Sequence, residues 1–161
     1  MSGLSLLTRT SGETLELGVC LGRLLEPGDV VALTGNLGSG KTVLTKGLAR
    51  GLGVPEESNV RSPSFVILNI HAGRCTLYHL DLYRIRDPVE LEDLGYREIF
   101  YGEGVTVIEW GEKIQNLLPA DRLEIRLVFG GGDHREVFLE MKGSRFAGRC
   151  HDLRFYLSRF S

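Results

Sequence analysis

Apolar positions along the chain follow two rhythms. Between Thr10 and Leu25, Leu17, Leu21, Leu24 and Leu25 share one face at helical spacing, and Thr10 with Glu13 has the spacing of a capping box. Pro27-Gly28 ends that helix. Val30–Thr34 (VVALT) is an unbroken apolar run that predicts a buried strand. A second helix follows from about Lys41 to Leu52, with Gly53 where a helix C-terminus favours glycine. The rhythm then shortens. Leu4 to Thr8 predicts a short edge strand, and residues 65–70 and 75–82 predict an antiparallel hairpin around His71-Ala-Gly-Arg74. Val105 to Trp110 (VTVIEW) predicts another buried strand. Leu123, Ile125, Leu127 and Phe129 alternate, as do Val137, Leu139 and Met141, so Gly130 to Asp133 between them predicts a second hairpin. Asp87-Pro88-Val89-Glu90 has the N-cap, first-turn proline and acidic third position of a short helix ending at Gly95.

The tail behaves differently. Phe146, Cys150, Leu153, Leu157 and Phe160 share a helical face, with Arg145, Arg149, Arg154 and Arg159 mostly away from it. Packing of this helix on the domain is the expectation, with partner binding as its rival. The organisation expected is a domain over 1–143 and an amphipathic helical tail over 144–161, without internal repeats.

Composition narrows the class. At 161 residues, 42% hydrophobic and 25% charged, the chain is expected to be one soluble globular domain. Its 21 glycines are about twice the usual share, which fits tight turns or backbone lying close to a ligand. A net charge of −2 gives no overall basic face for holding a nucleic acid unaided. Cys20, Cys75 and Cys150 have neither disulfide nor zinc spacing, and no run reads as a signal peptide or a membrane span. These features predict a cytoplasmic protein with no membrane attachment.

The chemistry is concentrated at residues 35–42, GNLGSGKT. Gly35-x4-Gly40-Lys41-Thr42 is the P-loop pattern, here between a predicted strand and a predicted helix. Its glycines let backbone N–H groups turn toward phosphate oxygens, and the helix N-terminus adds its dipole. Residues 35–42 (Gly35, Asn36, Leu37, Gly38, Ser39, Gly40, Lys41 and Thr42) are therefore the candidate nucleotide cradle. Lys41 is placed to reach the β- and γ-phosphates, and the Thr42 hydroxyl to bind Mg²⁺. The elements around this loop predict an α/β, P-loop NTPase-like three-layer fold, with a mixed parallel and antiparallel sheet flanked by helices.

Hydrolysis needs an acidic residue near the metal. Asp81 and Glu109 each stand at a strand's carboxyl end, where ligands sit in open α/β sheets, though a cap or surface role fits such residues too. Arg61 to Phe65 reads as a polar loop, or as a mobile segment whose hydroxyls meet the γ-phosphate or water. Trp110 alone reads as core or interface, and His79 as a hydrogen-bonded structural histidine.

Five motifs in order, GNLGSGKT (35–42), SPSF (62–65), YHLDLYR (78–84), ELEDLG (90–95) and VIEWGEK (107–113), resemble the TsaE family over about Thr10 to Glu140. These are small bacterial P-loop ATPases of tRNA threonylcarbamoyladenosine synthesis. The resemblance implies binding of ATP and Mg²⁺, slow hydrolysis, and action with the partner proteins TsaB and TsaD, which carry out the transfer and most of the tRNA contact. It implies catalytic roles for Lys41, Asp81 and Glu109, metal binding by Thr42, Asp81 and Glu109, support of the site by Trp110, and a switch-like segment containing Ser62 and Ser64. Ser64 replaces the family's usual threonine and keeps the hydroxyl. Gly111 stands where proline is frequent, which predicts a looser turn after Glu109. Three rival classes share the P-loop: a small-molecule kinase, for which Arg84 and Arg86 are the lid candidates, a GTP switch, which lacks a guanine-reading N/TKxD string here, and a non-hydrolysing interaction module.

Overall fold

The computed structural model describes residues 2–36, 38–58, 60 and 67–161. In chain order its elements are β1 (Ser2–Thr8), α1 (Ser11–Leu24), β2 (Val30–Thr34), α2 (Lys41–Gly51), β3 (Leu68–Ala72), β4 (Thr76–Asp81), α3 (Tyr96–Phe100), β5 (Val105–Glu109), β6 (Arg122–Phe129), β7 (Arg135–Lys142) and α4 (Cys150–Leu157). Among the described residues the strands form one sheet in the order β1-β7-β6-β2-β5-β4-β3. The four central strands, β6, β2, β5 and β4, run parallel, and antiparallel pairs finish both ends. This is the mixed sheet that the patterning predicts.

A strand's side chains alternate between faces, and β2 divides its residues accordingly. Val31 and Leu33 join Leu17, Leu21, Leu44 and Leu48 beneath α1 and α2. Val30 and Ala32 face the other way, into a core with Leu80, Ile108, Tyr96, Ile99 and Phe100. Apolar cover on both faces explains why β2 and β5 are almost continuously apolar.

α1 and α2 pack backbone to backbone. A Cβ on Gly18 would lie 2.5 Å from the Leu44 carbonyl oxygen, and one on Gly47 would overlap that of Leu15. Thr10 caps α1 by accepting from the Glu13 N–H (3.0 Å), but the Glu13 carboxylate bonds the Arg9 N–H (2.5 Å) rather than that of Thr10. At the other end of α1, the Arg74 guanidinium donates to the carbonyls of Gly22 and Leu25, both at 2.7 Å. Four free carbonyls end any helix, and Arg74 satisfies two of them from a distant hairpin.

Three local expectations are corrected. The segment after Asp87 has its capping box and its left-handed Gly95, yet Pro88–Leu94 is a 3-10 helix. Only Leu91 of that segment is buried, so little packing rewards a regular α-turn. β3 extends through Ala72, leaving a tighter, three-residue turn from Gly73 to Cys75. Phe129 ends the alternation of β6 but is 62% exposed, because β6 there runs beyond its pairing with β2, which ends at Arg126, and keeps only β7 as neighbour. The tail helix α4 lies against α1 and β1, with Phe146, Leu153, Leu157 and Phe160 in the core. Arg145 and Arg149 turn inward and grip the buried Asp29 carboxylate at 2.6–2.7 Å.

Candidate functional site

The loop between β2 and α2 lies at the carboxyl ends of the parallel strands. Gly35, Gly38 and Gly40 all have positive φ, at 141°, 79° and 104°. At Gly35 a side chain is excluded by space as well, since a Cβ would lie 2.6 Å from the Leu127 carbonyl oxygen and 2.7 Å from Ser39 Oγ. Gly40 starts α2 without any side-chain cap. The first-turn N–H groups of that helix are thus not taken by a cap, which suits an anion.

Lys41 is buried at the start of α2. Its ammonium donates to the carbonyls of Gly35 and of Asn36 (3.1 Å) and stands 3.8 Å from the Trp110 ring centroid. Burial lowers its pKa from the ordinary lysine value, and the carboxylates of Glu109, Glu112 and Asp81 oppose that shift. The site therefore surrounds one cation with three acidic groups.

Register brings the acidic residues together. β4 and β5 align Asp81 with Glu109, and both strands end there. Thr42 Oγ1, from the second residue of α2, lies 3.4 Å from Glu109 Oε1. The other oxygen, Oε2, is 2.5 Å from His79 Nε2, and this His–Glu pair is buried. Asp81 accepts the Tyr83 N–H at 3.0 Å. A hydroxyl and two carboxylates form an all-oxygen set suited to Mg²⁺, which binds few protein ligands and takes the rest from phosphate and water.

Trp110 holds the turn beyond Glu109. It is the one described non-glycine residue with positive φ (64°), and its N–H donates to the Leu33 carbonyl at 3.1 Å. Its ring packs on Tyr83 at 5.2 Å between centroids. Gly111 is buried, and a Cβ there would meet the Ala32 Cβ at 3.1 Å. The Lys113 N–H closes the turn onto the Trp110 carbonyl (3.1 Å), so it is tied rather than loose.

Lys41, Thr42, Asp81, Glu109 and Trp110 thus converge with Gly35, Asn36, Gly38, Ser39 and Gly40. Leu37, Ser62 and Ser64 lie outside the described residues. Arg84 and Arg86 are exposed, and the Arg86 N–H bonds Glu90. Two participants are not among the site residues expected from the sequence: His79, although it lies within the motif 78–84, and Arg135. His79 stands two residues before Asp81 on the same strand face, a period-two signal that was available. Arg135, from the start of β7, donates to the loop carbonyls of Ser39 (2.8 Å) and Gly38 (3.3 Å), and no spacing rule points to it.

A strand, a glycine loop and a helix at the centre of a mixed α/β sheet, with acidic residues ending the next two strands on one side, β5 and β4, define a P-loop protein of the nucleotide-binding class. The chain belongs to the TsaE family: the family profile described as "Threonylcarbamoyl adenosine biosynthesis protein TsaE" matches residues 8–137. A protein of Treponema pallidum named tRNA threonylcarbamoyladenosine biosynthesis protein TsaE is 45% identical over 130 residues, covering 81% of this chain and 95% of that one. Its namesake in Bacillus subtilis is 42% identical over 142 residues, covering 88% and 87%. The crystal structure of YdiB from Bacillus subtilis superposes with a TM-score of 0.76 at 34% identity, covering 98% of this chain and 95% of that one. Among the described residues no helix is long and apolar enough to cross a membrane.

Proposed function

We propose that the chain binds and hydrolyses ATP with Mg²⁺ as a cytoplasmic subunit of the machinery for threonylcarbamoyladenosine modification of tRNA, acting with TsaB and TsaD. The observation that carries this reading is the approach of the Thr42 hydroxyl, from the loop, to the Glu109 carboxylate, from the neighbouring strand, at 3.4 Å. A passive phosphate cradle has no need of a buried carboxylate at that point.

In this reading the loop N–H groups and Lys41 hold the phosphates, and Lys41 moves its bonds from the Gly35 and Asn36 carbonyls to phosphate oxygens. Thr42, Glu109 and Asp81 would hold Mg²⁺. When bound, the metal would supply positive charge to offset the negative charge that develops on the phosphate. Glu109, its far oxygen held by His79, orients water, and Trp110 supports Lys41. Ser62 and Ser64 supply hydroxyls from the segment before β3. The relatives' names and the family's pathway support the tRNA role, and the net charge of −2 agrees with tRNA being contacted mainly through partners.

The test mixes the chain with ATP and Mg²⁺, with and without TsaB, TsaD and tRNA, and follows phosphate release and modified adenosine. Release that rises with the partners, together with modification that requires this chain, is expected. Phosphate transferred to a small acceptor would establish a kinase instead. Binding without release under every condition would leave a passive module.

A further inference from the structure

His79 gives one ring nitrogen to Glu109 and keeps the other. A carboxylate only accepts, so His79 Nε2 carries the proton of that contact and Nδ1 presents a bare lone pair. The ring is wholly buried, yet Nδ1 has no hydrogen-bond partner among the described residues. A second imidazole on the same hairpin has the matching defect. His71 Nε2, on β3, is buried and likewise without a partner among the described residues. Buried nitrogens left in this state are rare, because each forfeits its hydration. Register relates the two. Asn69 lies opposite His79 and His71 opposite Leu77, so His71, Asn69 and His79 share one face of the sheet, with the histidines diagonal to each other. Diagonal neighbours stand about 7–8 Å apart, a gap that two imidazoles and one water span. Burial, and then the neighbouring His79, lower the His71 pKa from the ordinary histidine value. At neutral pH His71 is therefore an uncharged ring with one N–H to give.

Resting on the reading above of Glu109 as the group that orients water, we propose that His71 is a further positioning residue: its Nε2–H reaches His79 Nδ1 through one buried water, and the relay from His71 through His79 holds the Glu109 carboxylate at its working angle. Each nitrogen supplies what the other lacks, a donor on His71 and an acceptor on His79. A buried water needs two to four polar partners, and Asn69, opposite His79 on the same face, offers a third. A ring held at Nε2 alone is fixed at one edge. A second contact at Nδ1 sets both its plane and its tautomer, as the outer hydrogen bond of a site histidine does. The relay runs from the outermost strand β3, through β4, to the carboxylate that ends β5. His71 touches neither nucleotide nor metal in this arrangement, and it acts on the chemical step only through the orientation of Glu109.

Two measurements test it: imidazole nitrogen shifts of the full chain labelled with ¹⁵N-histidine, recorded without nucleotide, and steady-state phosphate release with the partners present. In the wild type the His79 signals are those of a single tautomer, protonated at Nε2. His71→Leu converts them to mixed tautomers, lowers kcat about fivefold and leaves KM for ATP within about twofold. His71→Gln, whose side-chain amide places an N–H close to where Nε2 lies, returns both readings to near wild type. A wild-type kcat in His71→Leu, a His79 signal that does not move, or equal losses in the leucine and glutamine variants overturns the relay. So does a wild-type spectrum in which His79 Nδ1 carries the proton, a result that needs no variant to fold. The ring shifts are read on the chain alone, so they decide the relay separately from the activity. A chain that releases no phosphate under any condition overturns the reading of Glu109 instead.

Discussion

His79 Nε2 lies 2.5 Å from Glu109 Oε2, with both side chains buried. The two residues stand on neighbouring strands, and His79 is paired in register with Val107 rather than with Glu109. The contact is therefore diagonal, and it fixes the orientation of a carboxylate whose other oxygen faces Thr42.

That arrangement separates positioning from binding. Glu109→Gln keeps shape and a hydrogen-bonding oxygen but loses the charge. Its partner-stimulated phosphate release is expected to fall by about 100-fold or more, with ATP affinity changed only a few-fold. His79→Gln acts through Glu109, so kcat falls by about tenfold while KM for ATP holds. Steady-state phosphate release measures both. A raised KM with kcat intact in either variant would make Glu109 a ground-state binding group.

Lys41 shares its ammonium between two loop carbonyls and the face of the chain's single tryptophan. Addition of ATP is expected to draw that cation off the Trp110 ring and change the emission of the indole. Lys41→Met removes the change and weakens ATP binding by about 10- to 100-fold, the worth of a charge-assisted contact to phosphate. Fluorescence titration reads both effects, and emission that ignores ATP in a chain shown calorimetrically to bind it would contradict the geometry.

The seam between α1 and α2 predicts a stability effect far from any ligand. Gly47→Ala forces a methyl group against backbone that has no side chain to move aside. A loss of about 2 kcal/mol is expected, equivalent to about 6 °C in Tm for a chain of this length. Thermal unfolding decides it, and a wild-type Tm would mean that the helices separate at little cost.

Asp29 predicts the acid limb of stability. Burial pushes its pKa up, but the hydrogen bonds from Arg149, the Glu26 N–H and Arg145 outweigh this and hold it below the ordinary 3.8. A carboxyl with a depressed folded pKa contributes its full stability above about pH 4 and loses it as the pH falls through the folded value. Asp29→Asn, which leaves two arginines facing an uncharged group, is expected to cost about 3 kcal/mol at pH 7. The difference in Tm between wild type and variant then narrows below pH 4. A gap that stays constant from pH 7 to pH 3 would show that Asp29 does not supply the acid sensitivity.

The parts of the fold that were legible are those that local chemistry dictates. The apolar run of β2 required cover on both faces, and the glycines of the loop required positive φ. Glu109 and Asp81 were readable as site candidates because each ends an apolar strand. What stayed hidden depends on pairings across the sheet. The register that brings His79 to Glu109 joins residues 30 apart, and Arg135 reaches the loop across 96 positions. Arg145 and Arg149 looked like solvated charges, because nothing near them in sequence announces a buried Asp29. Phe129 looked like a core residue, because alternation does not say where a strand outruns its neighbour.

The edge strand β1 pairs, among the described residues, with β7 alone, Ser2 opposite Met141 and Thr8 opposite Arg135. β1 therefore cannot pair until β7, far later in the chain, has been made. Pairings of such sequence separation form slowly, because a large loop must close before any contact rewards it. β7, the partner that β1 awaits, also brings Arg135 to the glycine loop. Completion of the sheet and bracing of the loop therefore coincide, and a growing chain cannot brace its phosphate cradle before it can fold.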